Sequence, residues 1–271
     1  MKVNLPKHRI LQAIGKFQYL SAFQLTRLLF SEGSQTYTWE NVSALRKAEY
    51  VAQLELPSLT KFGRPRAFYC LTSKGYRYLD DPTLPDPPRF RSTNEPYRNA
   101  LFLKHTESSN DLLILAHNLP RVDTRLTLTR SLTEAQLKKR KLPLRPDGWI
   151  ELYGTKPAAI AFEMDRATEG KERWKAKIGA YSRYIRDEYR HDFQATSLTI
   201  AVVTSSRRRV ADLLLWSEEA LREVNDLAMA PILYFASFNP VETNPAQVFE
   251  WPIWTTIHAT QQRLLPDDIF S

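Results

Sequence analysis

The chain has 271 residues, 43% of them hydrophobic and 25% charged, with a formal net charge of +8. That balance fits a globular protein with a substantial core and room for one large domain or two ordinary ones. No apolar run approaches the roughly 20 residues needed to span a bilayer. The opening MKVNLPKHRI has no hydrophobic stretch behind its basic residues, so neither membrane association nor a secretory signal is expected. A single cysteine, Cys70, excludes an internal disulfide framework and fits a reducing cytoplasm. The histidines, His8, His105, His117, His191 and His258, are scattered without cysteine partners, which argues against structural zinc; His105 reads as a packing residue.

The charge is unevenly placed. Residues 1–80 hold 12 Lys and Arg against 5 Asp and Glu, whereas the remaining 191 residues hold 26 against 25. A basic first third is expected where a chain meets a polyanion. Its periodicity predicts helices over 7–18, with Ile10, Leu11 and Ile14 inward, and over 21–30, with Phe23, Leu25, Leu28 and Leu29 inward. A third follows over 34–48, SQTYTWENVSALRKA, with Trp39, Val42 and Leu45 inward. Its polar side presents Thr36, Thr38, Asn41, Ser43, Arg46 and Lys47, side chains able to contact phosphates and base edges.

Two β-like runs come next, YVAQLEL and RAFYCLT. They are joined by PSLTKFGRP, which carries Lys61 and Arg64 and is followed at once by Arg66. TSKGYRYLDD closes the unit as a short helix. This order is that of a winged helix-turn-helix, whose third helix enters the major groove of double-stranded DNA while the hairpin lies along the backbone.

DDPTLPDPPRFRSTNEP is too proline-rich for a helix or a central strand and reads as a stiff linker. The expected organisation is a DNA-binding domain over 1–80, a linker over 81–95 and an α/β domain over 96–271. Within the last, a helix is expected over 96–117 and a strand over 125–132. SLTEAQL reads as a capping box between Ser131 and Glu134. Strands over 148–153, 158–165, 198–204 and 231–236 alternate with helices over 169–189 and 207–224, a mixed sheet flanked by helices. Arg207, Arg208 and Arg209 stand in a first helical turn, where the dipole disfavours cations; they read equally as facing phosphates or as a solvated surface run. VFEWPIWTT suggests a last edge strand, with the final dozen residues loosely held.

The most informative stretch is RPDGWIELYGTKPAAIAFEMDRATEG, residues 145–170. Asp147 opens one hairpin strand, and Glu163 and Asp165 end the next. Residues two apart on a strand share a face, so the hairpin can gather all three carboxylates at one end of the sheet. Such clusters repel unless a cation sits among them, and Mg²⁺ or Mn²⁺ suits hard oxygen ligands. An ion held there activates water and stabilises charge on a phosphate. This is the logic of the PD-(D/E)xK nuclease core. The lysine two residues after Glu163 is missing, since Asp165 stands there, and Lys177 on the following helix is the candidate replacement. Glu134 is a further carboxylate candidate. Tyr181, Tyr184 and Tyr189 offer an alternative, covalent tyrosyl chemistry.

YCLTSKGYRYL, RPDGWIEL, AIAFEMDRATEG and KIGAYSRYI together resemble the replication-relaxation proteins of plasmids and other mobile elements. The resemblance implies a winged helix joined to a restriction-endonuclease-like fold. It assigns family positions to Asp147, Glu163, Asp165, Thr168 and Glu169, and to Lys177 and Tyr181 on the helix.

The expected function is DNA binding in plasmid replication or DNA relaxation. It includes metal-dependent nicking or cleavage by Asp147, Glu163, Asp165 and Lys177. The alternative is a non-catalytic replication initiator or transcriptional regulator with a degenerate nuclease fold; a protein-interaction adaptor is a third reading. Expected partners are double-stranded and possibly single-stranded DNA, with no membrane and with self-association open.

Overall fold

A computed structural model describes residues 3–56, 66–80, 100–140, 142, 144–167, 169–258 and 260–270, with the side chains of Glu55, Leu56, Arg66 and Asp187 left out. The chain divides into two compact units, Met1–Asn110 and Asp111–Ser271. The hairpin tip with Lys61 and Arg64, and the expected linker at 81–95, lie outside the described residues. No helix among the described residues is long and apolar enough to cross a membrane.

The first unit opens with α1 (Leu5–Phe17), capped by Asn4 and with proline in its first turn. β1 (Leu20–Ser21), α2 (Ala22–Leu29) and α3 (Gln35–Lys47) follow. Ser21 and Gln24 form the capping box that starts α2. β2 (Val51–Leu56) and β3 (Arg66–Leu71) pair antiparallel, Val51 opposite Leu71 and Leu56 opposite Arg66, and β1 adds to β3 on its other side. α4 (Ser73–Leu79) is capped by Thr72, whose hydroxyl accepts the Gly75 N–H. A Cβ on Gly75 would lie 2.1 Å from the Tyr50 carbonyl oxygen, so the Leu-Thr-x-x-Gly turn requires glycine there. Tyr19, Leu54, Phe68, Cys70 and Leu103 form one buried cluster. Burial pushes the Cys70 thiol up to about 11, so it packs as a small apolar group.

Helical periodicity corrects two inward faces. On α2 Phe23 is exposed and Gln24 buried. On α3 the inward residues are Thr38, Asn41, Val42 and Leu45, while Trp39 is 56% exposed. At about 100° per residue, positions 38, 42 and 45 cluster more tightly than 39, 42 and 45. The tighter set won although it includes a threonine.

The second unit is a seven-stranded sheet in the order β10-β9-β8-β7-β6-β5-β4, flanked by helices. α5 (Ala100–Val122) leads into β4 (Thr127–Thr133), α6 (Glu134–Lys139), β5 (Gly148–Tyr153) and β6 (Pro157–Asp165). α7 (Lys171–Asp187) and the short α8 (Tyr189–Phe193) precede β7 (Thr199–Thr204) and α9 (Arg207–Glu223). A 3₁₀ turn, β8 (Leu233–Ser237), α10 (Pro245–Glu250), β9 (Trp254–Thr255) and β10 (Gln261–Gln262) complete the chain. β6, β7 and β8 run parallel and the outer pairs antiparallel. β6 lies in the interior of the sheet, buried on both faces. Its odd-numbered residues join the core under α7 and α9 with Trp174, Ile178, Tyr181 and Leu213. Its even-numbered Phe162 meets Phe249 of α10 edge to face on the other side.

The capping box lies two residues later than expected. Thr133 and Gln136 cap α6, and Ser131 is buried in β4 with no hydrogen-bond partner for its hydroxyl. The tail, too, is held rather than loose. Leu264, Leu265 and Ile269 are buried, and the Thr155 N–H donates to the Ile269 carbonyl at 2.9 Å. A Cβ on Gly154 would lie 2.2 Å from that same oxygen. Leu265→Ala should therefore cost about 2–5 kcal/mol in urea unfolding; a change within about 0.5 kcal/mol would show that the tail does not support the fold.

Candidate functional site

The β5–β6 hairpin sets the site. Gly148 pairs with Phe162, which places Asp147 opposite Glu163. The Asp147 N–H donates to the Phe162 carbonyl at 2.9 Å, and the Asp147 carboxylate accepts the Met164 N–H at 2.8 Å. Asp147 thereby extends the hairpin by one pair and holds its acid beside that of Glu163.

Glu163 is only 2% exposed. Tyr181 donates its hydroxyl to one carboxylate oxygen, and Lys177 Nζ lies 3.0 Å from the other. Lys177 and Tyr181 are four apart on α7, hence one turn apart on the same face. Lys177 also pairs with Glu169 Oε2 at 3.2 Å, a buried oxygen that accepts no hydrogen bond among the described residues. Glu134 starts α6, pairs with Lys138, and brings a carboxylate oxygen within 4.8 Å of one on Asp147.

Burial pushes Glu163 up to about 7; Lys177 pulls it down, and the neighbouring charge of Asp147 pushes it further up. For Lys177, burial alone favours deprotonation, but Glu163, Asp147 and Glu169 together outweigh it and keep the ammonium charged. Tyr181 is held well above the ordinary phenol range by burial and by Glu163, so it donates a hydrogen bond and does not ionise.

Asp165 does not join this group. Arg209 of α9 grips it through both oxygens, at 2.7 and 3.0 Å. Thr204 adds a hydroxyl at 3.0 Å and Ala167 an N–H at 3.1 Å. Asp147, Glu163 and Asp165 do not offer oxygens within 4.8 Å of one another. The shared strand face holds, but α9 places an arginine at the end of β6 that claims the second acid. Arg209, read from the sequence as facing either phosphates or solvent with its neighbours, is the counter-ion of Asp165. Arg207 and Arg208 remain exposed.

Residues 11–199 match the replication-relaxation family. The chain belongs to that family. No curated protein and no solved structure gives a match. Membership in the replication-relaxation family carries a role in replication or relaxation. The matched span contains Asp147, Glu163, Asp165, Glu169, Lys177 and Tyr181, and ends before Thr204 and Arg209. Thr168, a position implied by the resemblance, lies outside the described residues.

In the first unit, Thr36, Arg46 and Lys47 are exposed on α3 and Ser43 is half-buried. Thr38 and Asn41 turn inward. Thr38 bonds to the Thr26 hydroxyl and the Ser34 carbonyl, and Asn41 donates to the Tyr37 carbonyl. Arg66 begins β3, with its side chain outside the described residues.

Removing one partner of a buried, two-pronged ion pair leaves an uncompensated charge, at about 3–5 kcal/mol. Asp165→Asn should lose about that much stability, and a double-mutant cycle with Arg209→Gln should show coupling above about 1 kcal/mol. Near-zero coupling would return Asp165 to the ligand set.

Proposed function

We propose that this protein binds DNA through the first unit and nicks a DNA strand in the second, during plasmid replication or relaxation. On this reading the first unit is a winged helix, with Thr36, Ser43, Arg46 and Lys47 of α3 toward the duplex. The second is a restriction-endonuclease-like core. The observation that carries the reading is the register-paired Asp147 and Glu163, with a charged lysine from the next helix closing on them.

The donor set fits a divalent cation in part. Asp147 and Glu163 are adjacent hard-oxygen acids, and the raised Glu163 marks a charge that its surroundings compensate incompletely. This reading leaves Asp165 out of the donor set, because Arg209 bonds both its oxygens and Thr204 one of them. Mg²⁺ or Mn²⁺ bound there supplies a Lewis acid for a phosphoryl oxygen. Asp147 and Glu163 hold the charge in place. Lys177, paired with Glu163 and Glu169, would bring a positive charge beside a phosphate held at the same place. Tyr181 fixes the Glu163 rotamer by its hydrogen bond. A tyrosyl nucleophile is not favoured: Tyr181, Tyr184 and Tyr189 are all buried, and burial with nearby acids raises the first two phenols.

Supercoiled plasmid should be nicked with Mg²⁺ or Mn²⁺ and not with chelator. Asp147→Asn or Glu163→Gln should remove more than about 99% of the rate. A nick that survives either change would sink the mechanism. DNA binding with no cutting by the parent would instead favour the non-catalytic replication initiator.

The pH dependence has a defined sign. Glu163 holds a proton below about 7, and a cation must displace it. Nicking should rise as pH increases through about 7, and the midpoint should fall as metal concentration rises. A midpoint indifferent to metal concentration would contradict Glu163 as a ligand.

For α3, Arg46→Ala and Lys47→Ala should each reduce the slope of log affinity against log salt by about 1. Thr38→Val should leave that slope unchanged while lowering stability, since its hydroxyl bonds inside the unit. An effect of Thr38→Val on the slope would mean that α3 meets DNA by another face.

A further inference from the structure

A cavity of about 670 Å³ opens in the second unit between α9 and the end of β8, a volume typical of small-ligand sites. Phe235, Phe238 and Trp251 supply aromatic wall; Thr243, Gln247 and Arg207 supply polar groups. No carboxylate lines it. Arg207 is exposed and makes no ion pair or hydrogen bond among the described residues. It also sits in the first turn of α9, where a cation is unfavourable without an anion opposite. Gln247 gives its carbonyl oxygen to the Asn244 N–H in the cap of α10, which leaves its amide NH₂ as a donor. Trp251 is 52% exposed, a large indole left without cover.

One lining residue, Phe235, shares a sheet face with Glu163. Glu163 is in register with Val202, and Val202 with Phe235. Phe235 therefore stands two strands from Glu163, about 10 Å across the sheet. Every lining residue follows Thr199, so the cavity lies in the part of the chain beyond the family match.

We propose that this cavity binds a nucleotide, with the base against Phe238 and Trp251 and the phosphate on Arg207. An aromatic wall takes the π-face of any base, an arginine takes a phosphate through two parallel hydrogen bonds, and the amide and hydroxyl groups meet the base edge. A ligand lacking either half leaves part of the site unused: a neutral ring leaves Arg207 unpaired, and a bare phosphate leaves the aromatics wet. The nucleotide can come free from solution or as one unit of a DNA strand. The proposal does not depend on cleavage.

Calorimetric titration of the full chain tests it, with adenosine monophosphate, adenosine, inorganic phosphate and a six-residue oligodeoxyadenylate as probes. Adenosine monophosphate or the oligonucleotide should bind saturably, at least about tenfold tighter than adenosine or phosphate. Arg207→Ala should weaken that binding about tenfold or more. Ala211→Trp, which fills the cavity from an exposed helical position, should do the same. Asp147→Asn should bind as the parent does, which separates this site from the cutting reaction. Thermal melting should show both cavity variants folded, since neither position is buried. Binding of adenosine monophosphate assigns a free nucleotide. Binding of the oligonucleotide alone, weakened by both variants, assigns a nucleotide held within a strand. Absence of binding by both probes, or binding that neither variant weakens, would overturn the proposal.

Discussion

An ionised carboxylate cannot be taken from water without a cation to face it, and β6 buries two. Glu163 and Asp165 are two residues apart on one strand face, and each is met by a cation from a different helix. α7 sends Lys177 and α9 sends Arg209. Those pairings tie both helices to β6 at its C-terminal end. Around them, Trp174 of α7 donates its indole N–H to Ser217 of α9 at 2.9 Å, and Lys171 pairs with Glu219 at 2.7 Å. The Lys171–Glu219 pair is partly exposed and adds little. The buried acids set which helical turn lies over which residue of the strand.

The two acids differ because their cations differ. A guanidinium is planar and permanently charged, and it satisfies both oxygens of a carboxylate together. With Thr204 and the Ala167 N–H added on Oδ2, Asp165 accepts four hydrogen bonds. An ammonium is a point charge, and Lys177 is divided between Glu163 and Glu169 with Asp147 close by. Its compensation of Glu163 is incomplete, which is why burial still pushes that acid up to about 7. One strand end thus carries a carboxylate clamped by a guanidinium and another shared with an ammonium.

The alternation of apolar runs made the strands legible. β5 begins and ends where the period-two pattern does, and β6 and β7 differ from expectation by one residue at most. The proximity of Asp147 to Glu163 was legible for the same reason, since a hairpin turn sets the register. Lys177 and Tyr181 were legible as a helical pair. The fate of Asp165 was not, because Arg209 lies 44 residues away and reaches it only after β7 has been laid beside β6. On α3 the pattern misled, because Thr38 satisfies its hydroxyl locally and so packs as if apolar, while the larger Trp39 stays outside. Short β9 and β10 have two residues each, too few for any period to show.

The extent of the family match separates the two carboxylates of β6. Asp147, Glu163, Glu169, Lys177 and Tyr181 all fall within residues 11–199, so the shared segment contains the whole of that group. The clamp on Asp165 draws Thr204 and Arg209 from beyond that segment, from the later strands and helix that complete the sheet. A carboxylate–lysine–tyrosine cluster complete in the shared segment, and a structural tie reaching outside it, is the division expected when later elements brace a cluster they do not compose. On the proposed function, the acid end of β6 has two jobs two residues apart: Glu163 would serve the chemistry, and Asp165, held by Arg209, fastens the strand to α9.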